Sequence, residues 1–164
     1  MPAKDITGRA IIFSDPSKQD KSVCDREMMV RAIWYIFHAA LEETSVQQKG
    51  VVIILYYKKL KYKDTDRIQL KMILDSLGGC LPVRISAFHV IYPPNFVKIV
   101  FPFVKLRLAP KIRKRIIFHT GPCEKILKRL KQFHLVPAYF PVDIGGKVII
   151  DQNEWIEKRL AVGK

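Results

Sequence analysis

Seven consecutive residues, Val51-Val-Ile-Ile-Leu-Tyr-Tyr57, are β-branched, aliphatic or aromatic, and neither alternate set among them is polar. In an extended chain, successive side chains point to opposite faces. A strand with this composition must therefore be covered on both sides. That is the pattern of an interior strand in a parallel sheet layered by helices, because a half-solvated antiparallel strand would alternate apolar with polar.

The flanking segments fit such a sheet. Gly8 to Phe13, Arg84 to Ile91 and Ile116 to His119 read as further short strands. Between them lie amphipathic stretches. Asp25 to Glu43 has Met29, Ile33, Ile36, Phe37 and Ala40 at helical spacing, with Asp25 and Glu27 where the helix dipole favours acids. Asp64 is placed to cap a second helix that carries Leu70, Ile73, Leu74 and Leu77 and stops at Gly78-Gly79. Asn95 is placed to cap a third, running to about Leu108, with Phe96, Ile99, Val100, Phe103 and Leu106 as its stripe. Lys111 to Arg115 reads as a basic turn. Gly121-Pro122 opens a fourth helix, and a last one spans Asn153 to Leu160. Strands alternating with helices predict an α/β fold with a mostly parallel sheet and right-handed crossovers. A length of 164 residues suits one such domain.

Charge narrows the partners. There are 29 Lys+Arg against 15 Asp+Glu. Between Lys98 and Lys131 stand 11 basic residues and one acid, Glu124. A field of one sign attracts polyanions, whether nucleic acid, anionic lipid or an acidic protein. Interleaved aromatics and nucleic-acid motifs are missing, so nucleic acid ranks last and no nucleic-acid partner is expected. Cys24, Cys80 and Cys123 are isolated and odd in number, which suits a reducing compartment and small packed or weakly exposed thiols. The first residues lack the apolar core of a signal peptide, and no apolar run reaches the ~18 residues of a membrane span. A cytoplasmic protein is expected.

Chemistry is sparse. The phosphate loops GxGxxG and GxxxxGK[ST], the GxSxG elbow and HExxH spacing are all missing. Asp64 and Asp66 read as helix-start acids rather than a catalytic pair. His89 and His119 fall in strands, where each is either a packed histidine or a polar group lining a cavity. No enzyme, metal or cofactor is expected.

Six pieces in order resemble the CRAL-TRIO lipid-binding family of phosphatidylinositol transfer proteins and of tocopherol and retinal carriers. They are Gly8-Arg9 before a strand, Gly50 before Val51–Leu55, and Leu81-Pro-Val-Arg84. The next is His89-Val-Ile-Tyr-Pro-Pro94 with Phe96. Pro102-Phe-Val-Lys-Leu with Arg115-Ile-Ile-Phe follows, and Pro141-Val-Asp-Ile-Gly-Gly146 closes the series. The resemblance implies a sheet floor and a mobile gate helix, Asn95–Leu108, around an apolar cavity for one lipid. It implies cavity positions at Phe88, His89, Tyr92, Phe96, Ile99, Val100, Phe103, Ile117 and His119. Lys98, Lys105, Arg107, Arg113 and Arg115 would then meet headgroups of an anionic membrane. The implied division is a tail at 1–7, the lipid-binding domain at 8–150 and a C-terminal helix and tail at 151–164. The family's preceding helical domain has no counterpart before Gly8, so the expectation is either a stripped version or a stretch of a longer gene product. Phosphatidylinositol-binding members carry an acid at Val83, a Thr at Ile112 and a Lys at Arg115; Arg115 can still grip a phosphate bidentately, so the resemblance leaves inositol recognition open.

Two readings follow. In the first, a monomer binds one hydrophobic ligand and exchanges or presents it at anionic membranes as a peripheral protein. In the second, the same fold is a protein-interaction module whose cavity has collapsed. Cavity volume separates them, since ordinary ligand pockets begin near 300 Å³.

Overall fold

The computed structural model describes residues 3–79 and 82–163; Cys80 and Leu81, one expected as a thiol and the other as part of the turn before Arg84, lie outside them. Strands β1 (Ala10–Ser14), β2 (Val51–Tyr56), β3 (Ile85–Ile91) and β4 (Ile116–His119) form one sheet in the order β1-β2-β3-β4. All three pairings are parallel, as the double-sided apolar run in β2 requires.

Register lines up whole rows across the sheet. Ile12 lies beside Ile53, Ile53 beside Phe88, and Phe88 beside Ile116. Two residues on, Ser14, Leu55, Val90 and Phe118 make a second row on the same face. This face is covered by α1 (Arg26–Leu41), α3 (Arg67–Gly79) and α4 (Val97–Arg107), with α1 against α3 and α3 against α4. The opposite face carries Ile11, Val52, Ile54 and Ile91. It packs against Ile126 and Leu130 of α6 (Cys123–Lys131), and against Leu135, Phe140 and Ile144 beyond it.

Local starts and stops follow from side-chain chemistry. Asp25 caps α1 by accepting from the Met28 amide at 2.8 Å. The acid at the start of α3 is Asp66, not the expected Asp64: its Oδ1 accepts from the Ile68 and Gln69 amides, each at 3.0 Å. Asp64 instead closes a 3-10 turn at Tyr62–Asp64 by accepting from the Lys61 amide. Asn95 does not cap α4 with its side chain; its carbonyl accepts from the Lys98 amide, and the helix opens at Val97. Two short helices, α2 (Thr44–Lys49) and α5 (Pro110–Arg113), stand where sequence periodicity is too brief to register.

Both ends are tied in. Residues before Gly8, expected as a tail, run back along β1: Lys4 bridges Ala10, and the Ile11 amide donates to Ala3 at 2.7 Å. The last helix, α7 (Gln152–Ala161), reaches α1 through Arg159. Its guanidinium donates twice to Glu42 at 2.8 Å and once to the Tyr35 hydroxyl at 2.9 Å.

Candidate functional site

The two rows of the first face form the floor of a cavity of about 260 Å³. Helix α3 supplies Leu70, Ile73, Leu74 and Leu77 as one wall, at the spacing expected of an amphipathic face. Helix α4 closes the cavity with Val97, Val100, Phe101 and Val104, and Phe96 and Leu108 at its ends.

Phe88, Phe96 and Val100 are the expected cavity residues that line it. The others lie elsewhere, for two reasons. Strand parity decides His89, Ile117 and His119: each sits one residue out of step with the floor rows and so faces α6. Tyr92, with φ at +55°, packs edge-on to Tyr56 on that same side. Helix geometry decides Ile99 and Phe103. Helix α4 is apolar on more than one side, and these two with Leu106 point outward at 63%, 62% and 75% exposure.

The histidines form a buried pair instead. His89 Nδ1 lies 2.9 Å from His119 Nε2, with the Phe133 ring edge-on to His89. Burial pushes both imidazoles below the ordinary histidine range, and for His89 the neighbouring His119 adds to it.

Of the expected headgroup residues, Lys98 is exposed beside the outward stripe, and Lys105 lies over the Phe101 ring at 5.0 Å. Arg107 pairs with Asp75 of α3, its Nη1 3.0 and 3.1 Å from the two carboxylate oxygens. Arg113 donates to the Leu108 carbonyl at 2.7 Å. Arg115 donates to the Ile85 carbonyl.

Arg115 also enters a second concavity of about 650 Å³ with Arg9, Lys49 and Arg84. A basic residue stands immediately before β1, β3 and β4, and one residue before Gly50 at β2. In a parallel sheet, all strand beginnings share one edge, so the four cations converge. Gly50 permits the closest approach: its φ is +87°, and a Cβ there would lie 2.2 Å from the Arg84 carbonyl oxygen. Arg9 is held by Asp5 at 2.6 Å and by the Phe133 carbonyl at 2.7 Å. Burial alone would raise Asp5, but the Thr7 hydroxyl and the Arg9 amide and guanidinium outweigh it and hold the carboxyl below its usual range. Among the described residues, Lys49 and Arg84 have no ion-pair partner. In the sequence, Arg9 and Arg84 stand out only within the Gly8-Arg9 and Leu81-Pro-Val-Arg84 motifs. The repeated cation ahead of each strand was the available signal.

A parallel sheet hollowed on one face, with a two-sided apolar helix over the hollow, defines an α/β domain with an internal apolar cavity. The profile of the CRAL/TRIO domain matches residues 1–146, and the chain belongs to that family. It is similar to Clavesin-1 of Rattus norvegicus, 25% identical over 156 residues that cover 93% of this chain and 43% of the relative. It is equally similar to Clavesin-2 of Homo sapiens, 25% identical over 155 residues, 92% of this chain and 46% of the relative. The chain thus spans under half the length of both relatives. The crystal structure of Sfh5 shares the fold with a TM-score of 0.54 at 13% identity, over 71% of this chain and 45% of that one. No helix among the described residues is long and apolar enough to cross a membrane.

Proposed function

We propose that the chain holds one apolar lipid between the sheet and α4, and exchanges or presents it at anionic membranes as a peripheral monomer in the cytoplasm. The observation that carries this reading is the double-sided apolarity of α4. Its inner residues close the cavity, while Ile99, Phe103 and Leu106 lie exposed between Lys98, Lys105 and Arg107. Such a helix suits a bilayer interface, where apolar side chains enter the acyl boundary and cations meet headgroups. The pocket of Arg9, Lys49, Arg84 and Arg115 supplies a second cationic surface for an anionic headgroup.

One observation favours the second reading. The closed cavity of about 260 Å³ falls below the ~300 Å³ at which ordinary ligand pockets begin. A two-chain phospholipid therefore requires α4 to move outward, whereas an interaction module leaves it in place.

Mass spectrometry of organic extracts, before and after incubation with liposomes, tests the first reading. It requires a stoichiometric lipid that the purified protein carries or acquires. Protein that carries none and takes up none has the collapsed cavity of the second reading.

A further inference from the structure

Helix α6 divides its residues by charge. Ile126 and Leu130 are buried against the sheet, and Leu127 packs beside them. At helical spacing, Lys125, Lys128, Arg129 and Lys131 fall on the opposite arc. The three lysines are exposed and Arg129 is half-buried. The acid on this arc, Glu124, sits in the first turn, where the helix dipole favours it. None of the four cations has an ion-pair partner among the described residues. Other helices of the chain pair their exposed charges. On α1, Arg31 meets Glu27 at 2.7 Å, and on α7, Lys158 meets Glu154 at 2.6 Å. A face that only meets solvent gains from such pairs, whereas α6 gathers one sign. Lys98 and Lys105 of α4, the proposed membrane helix, likewise have no ion-pair partner among the described residues.

Position separates the two helices. Helix α4 covers one face of the sheet and α6 the other. Two helix layers, each about 10 Å thick, with the sheet between them, hold their outer surfaces more than about 20 Å apart. Charges are screened over about 8 Å at physiological salt. A bilayer that receives Ile99, Phe103 and Leu106 is therefore beyond the reach of the α6 cations. Nor does the arc suit a protein partner. Protein interfaces are anchored by buried aromatic and apolar side chains, and the arc of α6 carries none. Clusters of about 4–8 Lys/Arg on an amphipathic helix instead suit anionic lipid.

Resting on the membrane reading of α4, we infer that the basic arc of α6 is a second membrane-facing surface, so that one chain bridges two apposed anionic bilayers. Helix α4 enters one bilayer through its apolar stripe, and Lys125, Lys128, Arg129 and Lys131 adsorb to the headgroups of the other. The two contacts differ in kind. The first keeps its apolar share at high salt. The second is electrostatic alone, so it is lost first as salt rises.

Vesicles of phosphatidylserine and phosphatidylcholine mixed with the purified full chain test this, with co-sedimentation reading binding and dynamic light scattering reading clustering. The unaltered chain should bind and cluster them at low salt. Clustering should fade toward about 0.15 M salt while binding persists. The triple variant Lys125→Gln, Lys128→Gln, Lys131→Gln should lose roughly a hundredfold in affinity for the second bilayer. Its clustering should vanish while its binding to single vesicles stays within about twofold of the original. The three side chains are exposed and Gln is a good helix former, so the variant keeps the fold, and circular dichroism checks it. Vesicles that bind the unaltered chain without clustering overturn the inference and leave the α4 reading standing. So does clustering that survives in the triple variant. A variant whose binding to single vesicles falls as steeply as its clustering puts α6 on the first bilayer and also overturns the inference. Capture of a polyglutamate peptide by the unaltered chain but not the variant, with no clustering, assigns the arc to an acidic protein instead. If the chain binds no vesicles at any salt, the membrane reading falls, and this inference with it.

Discussion

His89 Nδ1 and His119 Nε2 meet at 2.9 Å behind the sheet, in side chains 0% and 1% exposed. One proton fits between the two facing nitrogens, with one ring donating and the other accepting. The outer nitrogens, His89 Nε2 and His119 Nδ1, have no partner among the described residues. Charging either ring would place a cation in the apolar packing of Phe133, Leu130 and Ile91. Burial accordingly lowers both native values below the unfolded histidine value of about 6.5.

Below pH 6.5 the unfolded chain takes up protons that the native pair refuses, so stability is present above that value and is lost as pH falls through it. Between pH 7 and pH 5, each histidine that stays neutral in the native state costs about 2 kcal/mol. Urea unfolding at the two pH values should show that loss, and His89→Phe with His119→Leu should flatten it. Equal midpoints at pH 7 and 5 in the unaltered chain would refute the neutral pair. Asp5, whose native value is lowered, contributes in a different window, losing its stabilisation only as pH falls below about 4.

The basic pocket predicts a salt-dependent membrane affinity. Lys49 and Arg84 are exposed and have no ion-pair partner among the described residues. A cation close to an anionic surface is worth about 1 kcal/mol. The double variant Lys49→Ala, Arg84→Ala should therefore weaken binding to phosphatidylserine vesicles by about 2 kcal/mol, or roughly thirtyfold, at low salt. The gap should narrow as ionic strength approaches 0.15 M, where the screening length is about 8 Å. Vesicle co-sedimentation across a salt series measures both. An unchanged affinity at low salt would remove this pocket from the membrane-facing surface.

Much of the fold was legible because one segment allowed few alternatives. The run Val51–Tyr57 needed cover on both faces, and parallel pairing with helical crossovers supplies it. The family motifs reinforced this, as they lie where the strands begin and end. Legibility failed where period alone cannot tell which face is hollow. His89 and Phe88 are adjacent in an apolar strand, and only the register with β4 shows Phe88 over the cavity and His89 behind it. In α4, Ile99 and Val100 are equally apolar, but only packing against the sheet decides that Val100 turns in and Ile99 out. Arg107 read as a headgroup ligand because its partner, Asp75, is distant in sequence.

That pair joins the last turn of α4 to α3. Exposed ion pairs contribute about 0–1 kcal/mol to stability, so Asp75→Asn should barely shift the unfolding midpoint. The same small energy acts directly on the separation of α4 from α3. Release of up to about 1 kcal/mol corresponds to as much as a fivefold increase in the open fraction. Transfer of a fluorescent lipid between vesicles should accelerate by up to that factor in Asp75→Asn. High salt should accelerate the unaltered chain and leave the variant little changed. A variant that transfers at the original rate would show that Arg107–Asp75 does not restrain α4.

The outward stripe of α4 gives the sharpest separation between a membrane and a closed interaction module. Ile99, Phe103 and Leu106 are more than 60% exposed, so their replacement removes little native packing. Surface substitutions of this kind usually stay within about 0.5 kcal/mol of the original stability. Moving an exposed Phe side chain into hydrocarbon gains about 1.5–3 kcal/mol, which Phe103→Ser forfeits. Vesicle affinity should therefore fall roughly ten- to a hundredfold in Phe103→Ser, with no change in unfolding midpoint. Salt should not abolish this difference, because the lost contribution is apolar, whereas the effect of Lys49→Ala, Arg84→Ala is screened. Vesicle binding that is equally tight in the Phe103→Ser variant would exclude α4 from the bilayer and leave the basic pocket as the sole contact.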